Sequence, residues 1–167
     1  MLATSIQGGM ETSPRQILWL FTAALQYPDS ILRAHEVLDD IVGRERLPSF
    51  SDRNSLAYID AIAHELFRWR PISPGSIPRR ADRADEFQGV KIAKGVTIIA
   101  NAWAIGQDEK VFDSSLSNVQ DFIPERWLQD GNLRSDLPLP VFSQGRRICQ
   151  GKRVATNRTF LNIAHLL

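Results

Sequence analysis

Phe142-Ser143-Gln144-Gly145-Arg146-Arg147-Ile148-Cys149-Gln150-Gly151 is the stretch on which the reading of this chain turns. It holds the sole cysteine of 167 residues, set between two glycines, with an arginine two residues before the thiol and a phenylalanine seven before it. A lone cysteine is by itself a small buried hydrophobe, and flanking glycines mark a turn. The spacing argues for more. Gly145 and Gly151 let the backbone turn tightly and approach a flat ligand. Arg147 brings a permanent charge and forked donors suited to a carboxylate. Phe142 can cover the sulfur and exclude water. These are the needs of a thiolate that ligates a haem iron whose propionates must be neutralised.

Composition sets the frame around this loop. A hydrophobic content of 43% with 23% charged residues predicts one ordered domain with a sizeable core. The net charge of +1 gives no bias toward nucleic acid or an anionic membrane. One cysteine rules out an intramolecular disulfide framework and a Cys-rich zinc site. The first residues lack the charged and apolar regions of a signal peptide. The most apolar run, residues 96–105, carries Thr97 and Asn101 and is too short to span a bilayer. The chain as given therefore reads as soluble, with no membrane anchor.

Working back from the loop, residues 107–140 are rich in Asp, Ser, Asn and Pro and read as a long irregular segment around Pro124-Glu125-Arg126-Trp127. Phe87, Val90, Ile92, Val96, Ile98 and Ala100 alternate with polar neighbours, and Gly89 and Lys94-Gly95 are turn signals, so a small antiparallel sheet is expected. Residues 101–105 read as a short helix with Trp103 packed under the core. Pro71 to Pro78 form a turn-rich, stiff connector ahead of Arg79-Arg80. A helix from about Asn54 to Arg70 carries Leu56, Ile59, Ile62, Ala63, Leu66 and Phe67 on its apolar side, with Glu65 and Arg68 at i and i+3. Two earlier helices are bounded by Pro28 and Gly43, the second with His35 as a face residue. The first is to carry Ile17, Leu18, Leu20, Phe21, Ala24 and Leu25 as its apolar side. The opening Gly8-Gly9-Met10-Glu11-Thr12-Ser13 weakens a helix, and the local reading has Thr12 or Ser13 capping a new helix that begins at Pro14. Downstream of the loop, Val154, Ala155, Phe160, Leu161, Ile163, Ala164 and Leu167 mark a last helix whose positive end lies beside the sulfur.

The pattern Phe-x-x-Gly-x-Arg-x-Cys-x-Gly at residues 142–151 resembles the haem-binding loop of the cytochrome P-450 family, the haem-thiolate monooxygenases. Three further motifs occur in that family's order: Gly9-x-Glu11-Thr12, resembling its oxygen-activation motif, Glu65-x-x-Arg68, and Pro124-Glu125-Arg126. The helix and the irregular segment look most like fungal microsomal members, including those grouped with O-methylsterigmatocystin oxidoreductase. Gln150 departs from the family, standing where proline is frequent.

The resemblance implies a mainly α fold with a small antiparallel β-sheet, the C-terminal part of the cytochrome P-450 fold truncated at both ends. Residues 1–167 would then be a partial domain, from the end of the central oxygen-binding helix through the haem-binding loop to the start of the last core helix. It implies heme b (iron protoporphyrin IX) as cofactor, with Cys149 as the iron ligand. Phe142, Gly145, Arg147 and Gly151 would bind the cofactor, joined by Arg79 or Arg80 as a second propionate-binding arginine. Glu11 and Thr12 would assist proton delivery. Glu65, Arg68 and Arg126 would form a buried structural network, and Ile72, Gly75, Ser76 and Ile77 would line the substrate pocket. The implied activity is an oxidoreductase that inserts one atom of dioxygen into a small organic substrate. An NADPH-dependent reductase would donate electrons, and the parent enzyme would reside at the endoplasmic reticulum membrane. Nucleic acid is not an expected partner. Autonomous activity is not expected of so short a chain, and the alternative is a non-catalytic fragment that binds haem weakly or acts only as an interaction surface.

Overall fold

The computed structural model describes residues 2–112 and 114–167, the side chains of residues 2–5 and 7 aside; Met1 and Asp113 lie outside the described residues. The chain is mainly helical, with three small antiparallel strand pairs, as its pattern predicts. Its centre is α3 (Ala57–Trp69), which is buried on nearly every side. Helices α1 (Leu2–Gln26), α2 (Pro28–Ile41) and α5 (Lys152–Leu166) pack around it.

Helix α1 corrects the predicted cap. It runs unbroken for 25 residues through Gly8, Gly9 and Pro14. Pro14 lies on the exposed side, where water can take the carbonyl that proline leaves without an N–H donor. Tertiary contacts hold the opposite face. Ser13, Gln16, Leu20 and Ala23 recur at helical spacing and are buried, and the Gln16 Nε2 amide donates to the Leu66 carbonyl of α3 at 2.8 Å. The predicted apolar side is only partly the buried one. Leu18, Phe21 and Leu25 are exposed, Leu25 by 86%.

Helix α2 starts with Pro28 in its first turn and stops at Gly43, whose φ of +71° glycine adopts without strain. Its buried stripe is Ile31, Ala34 and Leu38, and His35 faces solvent. The start of α3 is tied to α5 by charge. Asp60 accepts from Arg53 Nε and Nη2 at 2.7 Å each, and Arg53 Nη1 donates to Asn157 Oδ1 at 2.6 Å. The Arg53 guanidinium also lies over the Phe160 ring, 4.9 Å from its centroid and within the roughly 6 Å over which such a contact attracts.

After Pro71 the connector leads into β1 (Arg79–Arg80), β2 (Asp85–Phe87), β3 (Val90–Ile92) and β4 (Thr97–Ile98). β1 pairs with β4 and β2 with β3, both antiparallel, so the expected sheet is two separate ribbons. Helix α4 (Ala102–Gly106) follows, capped by the Asn101 side chain accepting from Ala104 N–H at 3.0 Å. Trp103 does not pack under the core as predicted; it is 44% exposed, and Ala102 and Gly106 are the buried positions of this short helix. The segment expected to be irregular contains a further ribbon, β5 (Leu128–Gln129) with β6 (Asn132–Leu133). It also buries Phe112, Phe122 and Trp127.

Gly106 marks the closest approach of α4 to α3. A Cβ there would stand 2.9 Å from the Arg68 carbonyl oxygen, a backbone atom that cannot swing aside. Gly106→Ala is therefore expected to destabilise the chain by roughly 1–3 kcal/mol, as overpacking does. Chemical denaturation reads this as a lowered midpoint at unchanged slope; an unchanged midpoint would show that the contact yields freely.

Candidate functional site

The site has two parts: the cysteine loop, and a buried charged network on α3, the helix whose Phe67 meets Phe142 of the loop. The loop is folded on its own backbone. Cys149 N–H donates to the Phe142 carbonyl at 2.8 Å, and Ile148 N–H to the Gly145 carbonyl at 3.0 Å. Gly145 has φ +65°, which its lack of a side chain permits, and Ser143 has φ +60°. The Cys149 thiol is free and exposed. A Cβ on Gly151 would come to 3.8 Å from Cys149 Sγ, so glycine there leaves the sulfur open. Phe142 is buried, edge-on to Phe67 of α3 with ring centroids 5.0 Å apart. Arg147 is exposed in the single 3-10 turn Gly145–Arg147. Helix α5 begins three residues after the thiol, with Lys152 N–H donating to the Cys149 carbonyl at 3.2 Å.

The sequence left two arginines open as the second propionate residue, and the structure separates them. Arg79 Nη2 reaches the cysteine loop, donating to Ser143 Oγ and to the Gln144 carbonyl at 3.2 Å. Arg80 turns its guanidinium over the Gly95 turn, its Nη2 lying 3.3 Å from where a Gly95 Cβ would be.

In the network, Glu65 and Arg68 are fully buried, and Arg126 is 3% exposed. Arg68 grips Glu65 with two parallel bonds, Nη2 to Oε1 at 2.6 Å and Nε to Oε2 at 2.7 Å. The same carboxylate accepts from Ile123 N–H at 2.8 Å and from Trp127 Nε1 at 2.9 Å. Arg68 also donates to the carbonyls of Gly106, Val119 and Asp121. Arg126 joins at longer range, its Nε 3.9 Å from Glu65 Oε1, while its Nη2 donates to the carbonyls of Ser117 and Asn118. The pair thus pins the irregular segment to α3. Its chief partners there, Ile123 and Trp127, carried no sequence signal of that role.

Glu11 and Thr12 lie on exposed turns of α1. Thr12 Oγ1 donates back to the Gly8 carbonyl at 2.7 Å, and Glu11 pairs with Arg15 at 3.1 Å, so their hydrogen bonds return to the helix itself. Arg158 of α5 donates to the Gly9 carbonyl at 3.3 Å, linking this motif to the helix that follows the cysteine loop. In the connector, Ile72, Gly75 and Ser76 are half-buried and Ile77 is 81% exposed.

His64, which sequence reasoning passed over, sits beside this network. Its Nδ1 bonds the Asp60 carbonyl at 2.7 Å, and its ring lies 5.1 Å from that of Trp127. Burial pushes the imidazole below its ordinary value; the Asp60 carbonyl and carboxylate oppose this, and Arg53 and Lys152 add to it. A depressed histidine binds its proton more readily in the unfolded chain. Its contribution is therefore intact above the unfolded value of about 6.5 and is lost progressively as pH falls below it. His64→Gln should flatten the decline in stability on acidification from pH 7 to 5. An unaltered pH profile in that variant would remove His64 from the account.

The residues present fit a haem. An exposed thiol stands on a glycine-cleared loop, an exposed arginine lies two residues from it, and a second arginine reaches across from β1. Among the described residues no group of three or more His, Cys, Asp or Glu is placed to hold a bare metal ion. Nor is any helix among them long and apolar enough to cross a membrane.

Comparison with known proteins agrees with this geometry. Residues 2–167 match the family model described as Cytochrome P450. The chain is 40% identical over 157 residues to Cytochrome P450 monooxygenase 113 of Postia placenta, covering 93% of this chain and 31% of that protein. It is 38% identical over 156 residues to Cytochrome P450 monooxygenase FrzL of Cladobotryum sp, covering 93% and 29%. It is 35% identical over 173 residues to Cytochrome P450 monooxygenase 58 of Postia placenta, covering 100% and 32%. The chain thus spans about a third of the length of the curated relatives it matches.

Proposed function

This chain belongs to the cytochrome P450 family, and from that premise we propose that it is the haem-ligating part of a haem-thiolate monooxygenase. The observation that carries the reading is the free, exposed Cys149 on a loop closed by its own backbone, with Gly151 keeping the sulfur clear. The bound haem would supply the dioxygen and electron-transfer chemistry that no protein side chain provides.

The chain's own residues do the positioning. Cys149 would offer the iron ligand, and the bond from its N–H to the Phe142 carbonyl fixes the backbone that presents it. Phe142, packed edge-on against Phe67, anchors the start of the loop to α3. Arg147 and Arg79 would hold the propionates by charge-assisted hydrogen bonds. Of the two candidates on β1, the reach of Arg79 to the cysteine loop favours it over Arg80. Glu65 and Arg68, with Arg126, keep the underlying segment rigid. Glu11 and Thr12 would assist proton delivery, which requires Thr12 to give up its bond to the Gly8 carbonyl. Ile72, Gly75, Ser76 and Ile77 belong to the wall of the pocket.

The reading extends to the whole protein. A small organic substrate and dioxygen react there, an NADPH-dependent reductase donates electrons, and the endoplasmic reticulum membrane is its location. The resemblance to fungal microsomal members supports these points. The exposed cations Arg146, Lys152 and Arg153 beside the loop suit an acidic partner surface. The exposed Leu18, Phe21 and Leu25 on α1 favour one second reading for the chain acting alone, that of an interaction surface without catalysis.

Reconstitution with haem, reduction and addition of carbon monoxide tests the proposal. The expected result is the red-shifted Soret band of a thiolate-ligated complex, abolished in Cys149→Ala. A complex whose band is unaffected by Cys149→Ala, or no haem uptake at all, would overturn ligation by this chain.

A further inference from the structure

We propose that Ser49 is a phosphorylation site, accepting the γ-phosphoryl group of ATP from a protein kinase that reads arginines ahead of its target serine. The site is independent of the haem reading. It lies in the pattern Arg44-x-Arg46-x-x-Ser49, where arginines precede the serine by five and by three residues. A kinase groove lined by carboxylates can read guanidiniums at such a spacing, each fork taking one carboxylate.

The same spacing occurs a second time, as Arg68-x-Arg70-x-x-Ser73, and the structure tells the two apart. Arg68 is fully buried and committed to Glu65 and three carbonyls. Arg70 lies over the Trp69 ring at 4.2 Å and donates to the Trp69 carbonyl at 3.1 Å. Arg68 cannot enter a kinase groove unless the core opens. The arginines ahead of Ser49 are on the surface. The side chains of Arg44 and Arg46 are 83% and 49% exposed, paired with Asp39 and Asp52 at 2.7 Å each. Surface ion pairs of this kind hold by about 0–1 kcal/mol, so both guanidiniums can be drawn away. A third hydroxyl, Thr156, also follows an arginine by three residues, but it lies within α5 and donates to the Arg153 carbonyl at 3.1 Å. Ser49 is exposed, and residues 47–49 are neither helix nor strand.

The neighbours of the hydroxyl suit the product as well. Ser49 Oγ donates to Asp52 Oδ2 at 3.0 Å and lies 2.7 Å from Ser51 Oγ. These are exposed bonds, each worth about 0.5–1.5 kcal/mol net, so the side chain can turn out to a kinase. The backbone beside it is tethered, with the Pro48 carbonyl bonded to His165 Nε2 of α5 at 2.8 Å. In the transfer, Ser49 Oγ attacks the γ-phosphorus of ATP. The Oγ–P bond forms, the bond from that phosphorus to the bridging oxygen breaks, ADP leaves, and the hydroxyl proton passes to the kinase's catalytic carboxylate. The new group brings about −1.5 to −2 of charge and three acceptor oxygens. Arg46 Nη1 donates at 2.8 Å to the same Asp52 oxygen that Ser49 now bonds, so a guanidinium is at hand to pair with the phosphate.

Incubation of the folded 167-residue chain with magnesium ATP and the catalytic domain of protein kinase B, followed by fragment-ion mass spectrometry, tests this. One phosphate is expected, on Ser49. Ser49→Ala should abolish it, and Ser73→Ala should leave it unchanged. Arg44→Gln with Arg46→Gln should lower the initial rate about tenfold or more, the effect of losing charged contacts to the kinase. Arg46 also supports the turn through Asp52, so Arg44→Gln alone, which leaves that pair intact, should still slow the reaction severalfold. Phosphate on Ser51 or Ser73 in place of Ser49 would overturn the proposal. So would a rate indifferent to both arginines, uptake by the heat-unfolded chain only, or no uptake at all.

Discussion

Replacing Glu65 by alanine is expected to cost about 3–5 kcal/mol, the penalty for breaking a buried ion pair from one side. Against a total stability of roughly 5–15 kcal/mol, that is a large share of what holds the chain folded. The carboxylate is fully buried and accepts four short bonds, two from Arg68 and one each from Ile123 N–H and Trp127 Nε1. Its removal strands the Arg68 charge and two further donors in a fully buried site. Exchanging Glu65 and Arg68 together for apolar residues removes both charges, yet the carbonyls of Gly106, Val119 and Asp121 would then lose their donor. The double variant should accordingly recover part of the loss, not all of it. Urea denaturation of the single and double variants measures both. A Glu65→Ala variant within about 1 kcal/mol of the unaltered chain would mean that the network is dispensable.

The sequence revealed those parts of the site that are local. Glu65 and Arg68 are one helical turn apart, so their pairing is readable from spacing alone. The cysteine loop closes within eight residues, and Gly145 supplies the left-handed backbone it needs, so its pattern carries its shape. What was hidden are contacts between distant segments. Arg53 meets Asn157 across 104 residues of chain, and Trp127 meets Glu65 across 62. Neither partner has a local pattern that announces it. The unbroken α1 shows the same limit. Thr12-Ser13-Pro14 is a sound helix start by propensity, but Gln16, Leu20 and Ala23 are anchored to the core and carry the helix through. Trp103 failed for a related reason. Helix α4 is only five residues long, and Gly106 seats it against Arg68, which leaves the indole on the outer side.

Trp69→Ala should be the other severe substitution, again by about 3–5 kcal/mol, here because a large ring is removed from a packed core. Trp69 is 1% exposed at the end of α3. Its ring meets Trp19 of α1 at 6.2 Å, Tyr27 at 5.7 Å and Phe122 at 5.4 Å between centroids, and Arg70 lies over it at 4.2 Å. One side chain thus joins α1, the entry to α2 and the segment that leads to Arg126. Its Nε1 donates to the Gln120 carbonyl at 2.9 Å. Trp69→Phe separates the two contributions, since it retains most of the apolar contact and forfeits the hydrogen bond, at a cost of about 1 kcal/mol plus a small packing loss. The consequence for function travels through α1. That helix bears Glu11 and Thr12 and is held to α3 by Trp19 against Trp69 and by Gln16 against Leu66. Hydrogen exchange should therefore show the amides of α1 losing protection in Trp69→Ala before those of α5. Equal loss across all helices would indicate that the chain unfolds as one unit and that the aromatic cluster has no separate hold on the helix carrying the acid–alcohol pair.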